Sequence, residues 1–197
     1  MISPSSPYRL ALIGCGARGT GYPLHLRRLG YDFEMVALAD TRLEQSRLVA
    51  DQFGNEGTKI FISAEELLAV CGDCLDGVIV ASPNHLHAEH AEAVFKRNLP
   101  LLFEKPVATS PLQLDALWKA SVAANRGCVV GFVLRYTPFY QTVHRLIQDG
   151  VLGTVLAIQA EELMSDRLSS LFSRGNWRPD AKATGAGPMP SGVKPAE

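Results

Sequence analysis

Tyr8 to Gly19 reads YRLALIGCGARG, and this stretch decides the fold. Leu10, Ala11, Leu12 and Ile13 make a short apolar strand that runs into Gly14, Cys15, Gly16, Ala17, Arg18 and Gly19. That is G-x-G-x-x-G at a strand-to-helix turn. Gly14 permits the tight turn, Gly16 lets a pyrophosphate approach the backbone, and Gly19 lets the next helix pack closely on the strand. Phosphates held there sit on free N–H groups at the positive end of the helix. Glycine-rich strand ends also occur as plain turns, so the next strand carries weight. Phe33 to Ala39 (FEMVALA) is apolar and ends on Asp40, twenty-one residues beyond Gly19. A nucleotide-binding βαβ unit places at that point the carboxylate that accepts hydrogen bonds from the ribose hydroxyls of adenosine.

The same alternation continues along the chain. A helix from about Gly19 to Leu29 accommodates Pro23 only in its first turn. Arg42 to Phe53 is a second helix stopped by Gly54, Lys59 to Ile62 a third strand, and Ser63-Ala-Glu-Glu66 a capping box that opens a helix through Val70. Asp76 to Ala81 (DGVIVA) is a continuous apolar run of the kind buried on both faces in a parallel sheet. Ser82-Pro-Asn-His-Leu-His87 then begins a helix ending near Arg97. Leu101 to Phe103 is a fifth strand closed by Glu104-Lys105-Pro106, and a helix from about Pro111 to Asn125 leads to a sixth strand, Cys128 to Phe132. Strands alternating with helices through short turns are satisfied by right-handed crossovers, which gives an α/β class and a doubly wound parallel Rossmann sheet over residues 1–132. Ligands of such sheets bind beyond the carboxyl ends of the strands. The glycine loop, Asp40, Ser82 to His87 and Glu104 to Pro106 all occupy strand ends and are expected to converge on one crevice.

Composition removes other partners. The chain of 197 residues has 47% hydrophobic and 20% charged residues, enough to bury a core, and a net charge of -1 offers no footprint for nucleic acid or an anionic membrane. The start, MISPSSPYRL, has no basic flank followed by an apolar core, and nowhere do eighteen uncharged apolar residues run together, so a cytoplasmic protein without membrane partners is expected. Cys71 and Cys74 have C-x-x-C spacing, but no second pair completes a zinc site. His85, His87 and His90 have no matching carboxylate constellation, and the expectation is solvent-facing histidines at a helix start and no metal.

Beyond residue 132 the rhythm changes. Arg135-Tyr136-Thr137-Pro138 precedes a helix with Val143, Leu146 and Ile147 on one face, and Thr154 to Met164 reads as a longer, nearly alternating strand. Residues 133–177 are expected to be the start of a second α/β domain. Residues 178–197, including KATGAGPMPSGVKPAE, are expected to form an irregular tail without a packable pattern.

GCGARG followed by Asp40, then SPNHLH (82–87), EKP (104–106) and LRYTPFYQTVHRLIQDGVLGTV (134–155), resembles the glucose-fructose oxidoreductase, inositol dehydrogenase and rhizopine-catabolism (Gfo/Idh/MocA) family, from about Tyr8 to Trp177. EKP after a fifth strand is the restrictive element. The resemblance implies an N-terminal nucleotide-binding domain and a C-terminal α/β domain whose open sheet often makes the interface of a homo-oligomer. It implies oxidation or reduction of a sugar, polyol or related small molecule with NAD or NADP.

Carried over residue by residue, Lys105 matches the lysine that lies near nicotinamide and substrate. Oxidising a secondary alcohol moves a hydride to nicotinamide while another group accepts the hydroxyl proton. A lysine in a partly dry crevice suits either that transfer or polarisation of the oxygen. Glu104 either orients the lysine or contacts the nicotinamide end, and Pro106 is a candidate for a cis bond. Ser82, Pro83, Asn84 and His87 match the turn that lines the cofactor. Arg135 matches the arginine of the R-Y-x-P segment, either near the cleft or bracing the domain junction. Asp40 would face the extra phosphate of NADP; like charges about 4 Å apart cost on the order of 4 kcal/mol at an effective dielectric near 20, close to a thousandfold in affinity. NAD is therefore expected, with NADP kept open because Arg42 carries a charge that would pair with that phosphate.

Relatives continue into a histidine and an aspartate, often spaced H-x-x-x-D, whereas the last histidine here is His144. Losing a general acid or base costs about a hundred to ten thousandfold. The chain is thus expected to be a truncated relative that binds cofactor and turns over little or no substrate by itself. The competing expectation is a non-catalytic dinucleotide-binding sensor or regulatory module. A methyltransferase with a similar glycine loop comes third, because that chemistry does not call for EKP.

Overall fold

The computed structural model describes residues 6–161 and 181–184, without the side chains of 181 and 182. β1 (Tyr8–Ile13), β2 (Phe33–Ala39), β3 (Lys59–Phe61), β4 (Gly77–Val80), β5 (Leu101–Phe103) and β6 (Cys128–Val130) form a 6-stranded parallel sheet in the order β3-β2-β1-β4-β5-β6. The chain winds outward from β1 to β3 and then returns to lay β4 on the other side of β1. That reversal is the switch point at which open α/β sheets form a crevice.

Helices α1 (Ala17–Arg28), α2 (Leu43–Phe53), α3 (Ala64–Cys71), α4 (His87–Lys96) and α5 (Pro111–Ala124) link successive strands, and α6 (Pro138–Gln148) follows β6. Alternate strand residues point to opposite faces. Ala11, Ile13, Val78, Val80, Leu101 and Phe103 pack with Leu67, Leu68, Val94, Phe95 and Leu117 of α3, α4 and α5. Leu12, Leu38 and Ile79 pack on the other face with Val49 and Phe53 of α2. All four residues of β4 are buried, as a strand covered on both faces requires. Each fully buried large apolar side chain, such as Leu12, contributes roughly 1.5–3 kcal/mol relative to exposure.

One irregularity matters to the pattern. The β1–β2 register jumps from Leu10↔Met35 to Ala11↔Ala37, so Val36 is an extra residue in β2. The bulge lets Met35 and Leu38 share a face, which strict alternation forbids. This is why FEMVALA does not read as a clean alternating strand.

The carboxyl ends of the strands stand level. Ile13 pairs with Ala39 and Val80, Ala39 with Phe61, and Phe103 with Val80 and Val130. The residue after each end then hydrogen-bonds to the neighbouring strand: the Gly14 N–H to Ala39 O (2.8 Å), Ala81 to Ile13 O (2.8 Å), Glu104 to Val80 O (2.9 Å) and Gly131 to Phe103 O (2.8 Å). The ladder thereby places these residues in one row along one edge.

The structure departs from the sequence reading in several places. α1 starts at Ala17, so Pro23 lies beyond its first turn, without an N–H for the Gly19 carbonyl. The helix tolerates it because the ring is fully buried and so contributes packing in place of the missing bond. No strand forms over 154–161, because those residues pair with no other strand among the described residues; the expected continuation to Met164, and Trp177, lie outside the described residues. In the expected irregular tail, Ala181–Thr184 forms a helical turn. Ala183 is buried, and the Asn84 amide donates to Thr184 O at 3.4 Å, so a small helix-forming residue does find packing. Among the described helices none is long and apolar enough to cross a membrane.

Candidate functional site

Three glycines shape the end of β1, each for a different reason. Gly14 has φ +93°, and a Cβ there would lie 2.5 Å from Ala81 C and Ser82 N, so only glycine lets β1 turn against the end of β4. A Cβ at Gly19 would lie 2.0 Å from Gly14 O, which fixes how closely α1 folds back on the loop. A Cβ at Gly16 would meet nothing within 4 Å. The space before the helix is therefore open, and a side chain would fill it.

Gly16 is the N-cap of α1, with no side-chain cap and no acidic residue in the first turn, while His25, Arg27 and Arg28 occupy the last turn. The first N–H groups are thus left for an anion, and the basic C-terminal turn suits the helix dipole. Cys15 is buried beneath this loop; Ser46 Oγ donates to its Sγ at 3.5 Å, and burial pushes the thiol up to about 11, so it packs as a small apolar group.

Asp40 joins the second strand end to this loop. Its Oδ2 accepts the Cys15 N–H at 2.9 Å, and its Oδ1 accepts the Arg42 N–H at 2.9 Å with Arg42 Nε 3.6 Å away. An ionised carboxylate has about four acceptor positions, so capacity remains for ribose hydroxyls. The bond to Cys15 also braces the glycine turn, a role that spacing alone does not reveal. Open space at Gly16, uncapped N–H groups and a carboxylate on the adjoining strand end together fit a dinucleotide.

The turn after β4 is built by histidines. His87 is 1% exposed, with Nδ1 2.7 Å from Pro106 O and Nε2 2.7 Å from Ser82 O. His90 Nδ1 lies 2.9 Å from Ser82 Oγ, and burial lowers its pKa. The expectation of solvent-facing histidines is therefore corrected: α4 begins at His87 and turns that side chain inward between two loops. His87 is also expected from the sequence to touch cofactor, and its ring is instead engaged with backbone on both sides. Ser82 is buried, while Pro83 and Asn84 stay partly accessible beside it.

At the end of β5, Glu104 is 5% exposed. Its Oε1 accepts the Tyr22 hydroxyl at 2.5 Å and lies 3.4 Å from Arg18 Nε; its Oε2 accepts the Lys105 N–H at 3.3 Å. Burial, and then the Glu104 carboxylate, push the Tyr22 phenol well above its ordinary value. The Lys105–Pro106 peptide is cis. Lys105 itself is exposed, so the partly dry setting expected for it is not provided by the described residues around it. Ala17 and Arg18 are exposed at the start of α1, with Arg18 directed at Glu104. Arg135 lies in a 3₁₀ turn, Val133–Tyr136, its guanidinium 5.5 Å from the centre of the Phe132 ring. Nothing in these contacts brings it onto the other site residues.

Two contributors escape a reading of the sequence. Tyr22 reads as one more large residue on an amphipathic helix, and Gly131 as an ordinary glycine at a strand end. A Cβ at Gly131 would lie 2.6 Å from Tyr22 Oη and 3.0 Å from Glu104 Oε1. The only signal in the sequence is a hydroxyl on an otherwise apolar aromatic, which needs a partner when buried.

Comparison with known proteins agrees with this geometry. Residues 8–132 match the family described as "Oxidoreductase family, NAD-binding Rossmann fold" (GFO_IDH_MocA). The chain is 30% identical over 149 residues to inositol 2-dehydrogenase 4 of Saccharopolyspora erythraea, covering 75% of this chain and 43% of that protein. It is 30% identical over 159 residues to D-glucoside 3-dehydrogenase of Escherichia coli, covering 81% and 44%. The WlbA dehydrogenase of Bordetella pertussis, solved with NADH and UDP-GlcNAcA, superposes with a TM-score of 0.68 at 25% identity, over 78% of this chain and 42% of that one. The chain spans less than half the length of each of these relatives.

Proposed function

This chain belongs to the GFO_IDH_MocA oxidoreductase family, and from that premise we propose that it supplies the cofactor half of an NAD-dependent dehydrogenase acting on a sugar, a polyol or a related hydroxyl compound. The observation that carries the reading is the level row of strand ends. It sets the open glycine loop, Asp40 and the Glu104-Lys105 turn along one edge of the sheet. In this reading residues 1–132 hold the cofactor and residues from 133 onward begin the substrate domain.

When bound, the nicotinamide cofactor would supply the hydride transfer. The chain's own residues do the rest. The N–H groups at the start of α1 take the pyrophosphate, and Asp40 accepts the adenosine ribose hydroxyls while repelling a further phosphate. The exposed Lys105 would reach toward the substrate oxygen, where its ammonium would polarise that oxygen or donate a proton to it during reduction, and its neutral amine would accept the hydroxyl proton during oxidation. Arg42 is already beside Asp40, which lowers its availability for the phosphate of NADP.

The test is titration of the purified chain with NADH and NADPH, followed by the cofactor's own fluorescence. The expected outcome is saturable binding at least tenfold tighter for NADH, a difference that Asp40→Asn narrows. Equal affinity for both, or no binding of either, would sink the reading. The exposure of Lys105 favours a second reading, a dinucleotide-binding module without turnover. NAD+ reduction with inositols or glucosides that disappears in Lys105→Ala supports the enzyme; tight NADH binding without any such turnover supports the module.

A further inference from the structure

We propose that Tyr22 is a positioning residue of the cofactor site, which ties the helix behind the phosphate-binding loop to the turn that presents Lys105. The proposal rests on the cofactor reading above and assigns how its two ends are held at a fixed separation.

Glu104 is the centre of this tie. Its carboxylate is 5% exposed, so without partners it would be a buried charge that nothing compensates. Its partners come from different parts of the fold: the Tyr22 hydroxyl and the Arg18 guanidinium from α1, and the Lys105 N–H from its own turn. Arg18 is 58% exposed and 3.4 Å away, so solvent screens it. Tyr22, at 2.5 Å, makes the short charge-assisted bond. Oε1 is thus fixed to α1, and Oε2 holds the backbone N–H of Lys105. The carboxylate is a rigid bracket between them.

A third element keeps the phenol in place. Gly131 follows β6 beside the pair, and any side chain there would meet Tyr22 Oη at 2.6 Å. Because that oxygen is the far end of a side chain, a methyl group at 131 would displace the hydroxyl and leave the sheet intact. Glu104 is accordingly assigned to orienting the Lys105 turn, with its oxygens directed inward.

The consequence is specific to one end of the cofactor. Adenosine and pyrophosphate would bind at the glycine loop and Asp40, which Tyr22 does not touch, whereas the nicotinamide end would meet the Glu104-Lys105 turn. Tyr22→Phe removes only the hydroxyl. It is expected to weaken NADH about tenfold, the scale of one hydrogen bond to a charged group, and to leave ADP-ribose, which lacks nicotinamide, within about twofold. Gly131→Ala, whose methyl group crowds the Tyr22 hydroxyl at 2.6 Å and the Glu104 carboxylate at 3.0 Å while leaving both partners chemically whole, should show the same selective loss. Adding Tyr22→Phe to Glu104→Ala should cost nothing further, since the phenol acts through the oxygens that the alanine removes.

Equal loss for the two ligands would reassign Tyr22 to general stability, and unchanged NADH binding in Tyr22→Phe would overturn the proposal. ADP-ribose binding in each variant confirms that the domain has folded. If the unsubstituted chain binds neither ligand, the cofactor reading falls and this proposal with it. If it binds both and the variants match it, only the proposal falls.

Discussion

At the scale of single residues, the glycine loop separates two needs that a motif merges. Gly14 is required by the fold: its φ is positive, and a methyl group placed there would lie 2.5 Å from Ala81 and Ser82, which leaves no space for a side chain. At Gly16 the surroundings are empty, so the fold does not require glycine there, and in the proposed reading the ligand does. Gly14→Ala is therefore expected to destabilise the chain by about 3 kcal/mol or more, read from urea unfolding. Gly16→Ala should unfold within about 1 kcal/mol of the unsubstituted chain and yet lose NADH binding by more than tenfold, because the methyl group occupies the space that phosphate needs. The same stability loss in both would remove the distinction.

At the scale of elements, the site depends on turns held together from behind. His87 opens α4 and lies 2.7 Å from carbonyls in both the turn after β4 and the turn after β5. It does for these two loops what Tyr22 does for α1 and β5. Replacing it with alanine removes a fully buried ring and both polar ties, so His87→Ala is expected to cost about 2–4 kcal/mol in urea unfolding. A loss under about 0.5 kcal/mol would mean that the two turns keep their places without it. The α3 cap obeys a simpler local rule: Ser63 Oγ accepts the Glu66 N–H at 3.1 Å, as the Ser-x-x-Glu spacing predicts.

At the scale of the whole molecule, the cofactor edge is assembled from strand ends far apart in sequence, so ligand and fold are linked. A ligand that binds only the folded chain at about a hundred times its dissociation constant stabilises by about 2.7 kcal/mol. For a chain of this size that corresponds to roughly 5–10 °C in Tm. NADH at that concentration is expected to raise the melting midpoint by this amount, and Gly16→Ala should cut the rise to about half or less while keeping the unliganded midpoint within about 4 °C. The remainder of the chain is organised differently. α6 has no buried residue, and Phe139 is 70% exposed, while Leu114, Trp118 and Val122 leave an apolar stripe exposed on α5. Among the described residues the sheet ends at β6, and α6 beyond it adds little to its core.

The α/β alternation, the parallel sheet and the line of strand ends were legible in the amino-acid order alone. Those depend on local signals: apolar runs such as GVIV (77–80), glycines at 14, 16 and 19, and a carboxylate at a fixed distance. Their physics is carried within a few residues, so spacing is enough to read it. Only the tertiary structure decided which polar groups would meet. Asp40 on the Cys15 N–H, Tyr22 and Arg18 on Glu104, and His87 between Ser82 and Pro106 are pairings across elements. The β2 bulge at Val36 and the packing of Ala183 beside the β4 turn were equally hidden. The reason is common to all of them: a buried hydroxyl, carboxylate or imidazole must find a partner, but which one it finds is set by how the sheet aligns segments that no periodicity connects.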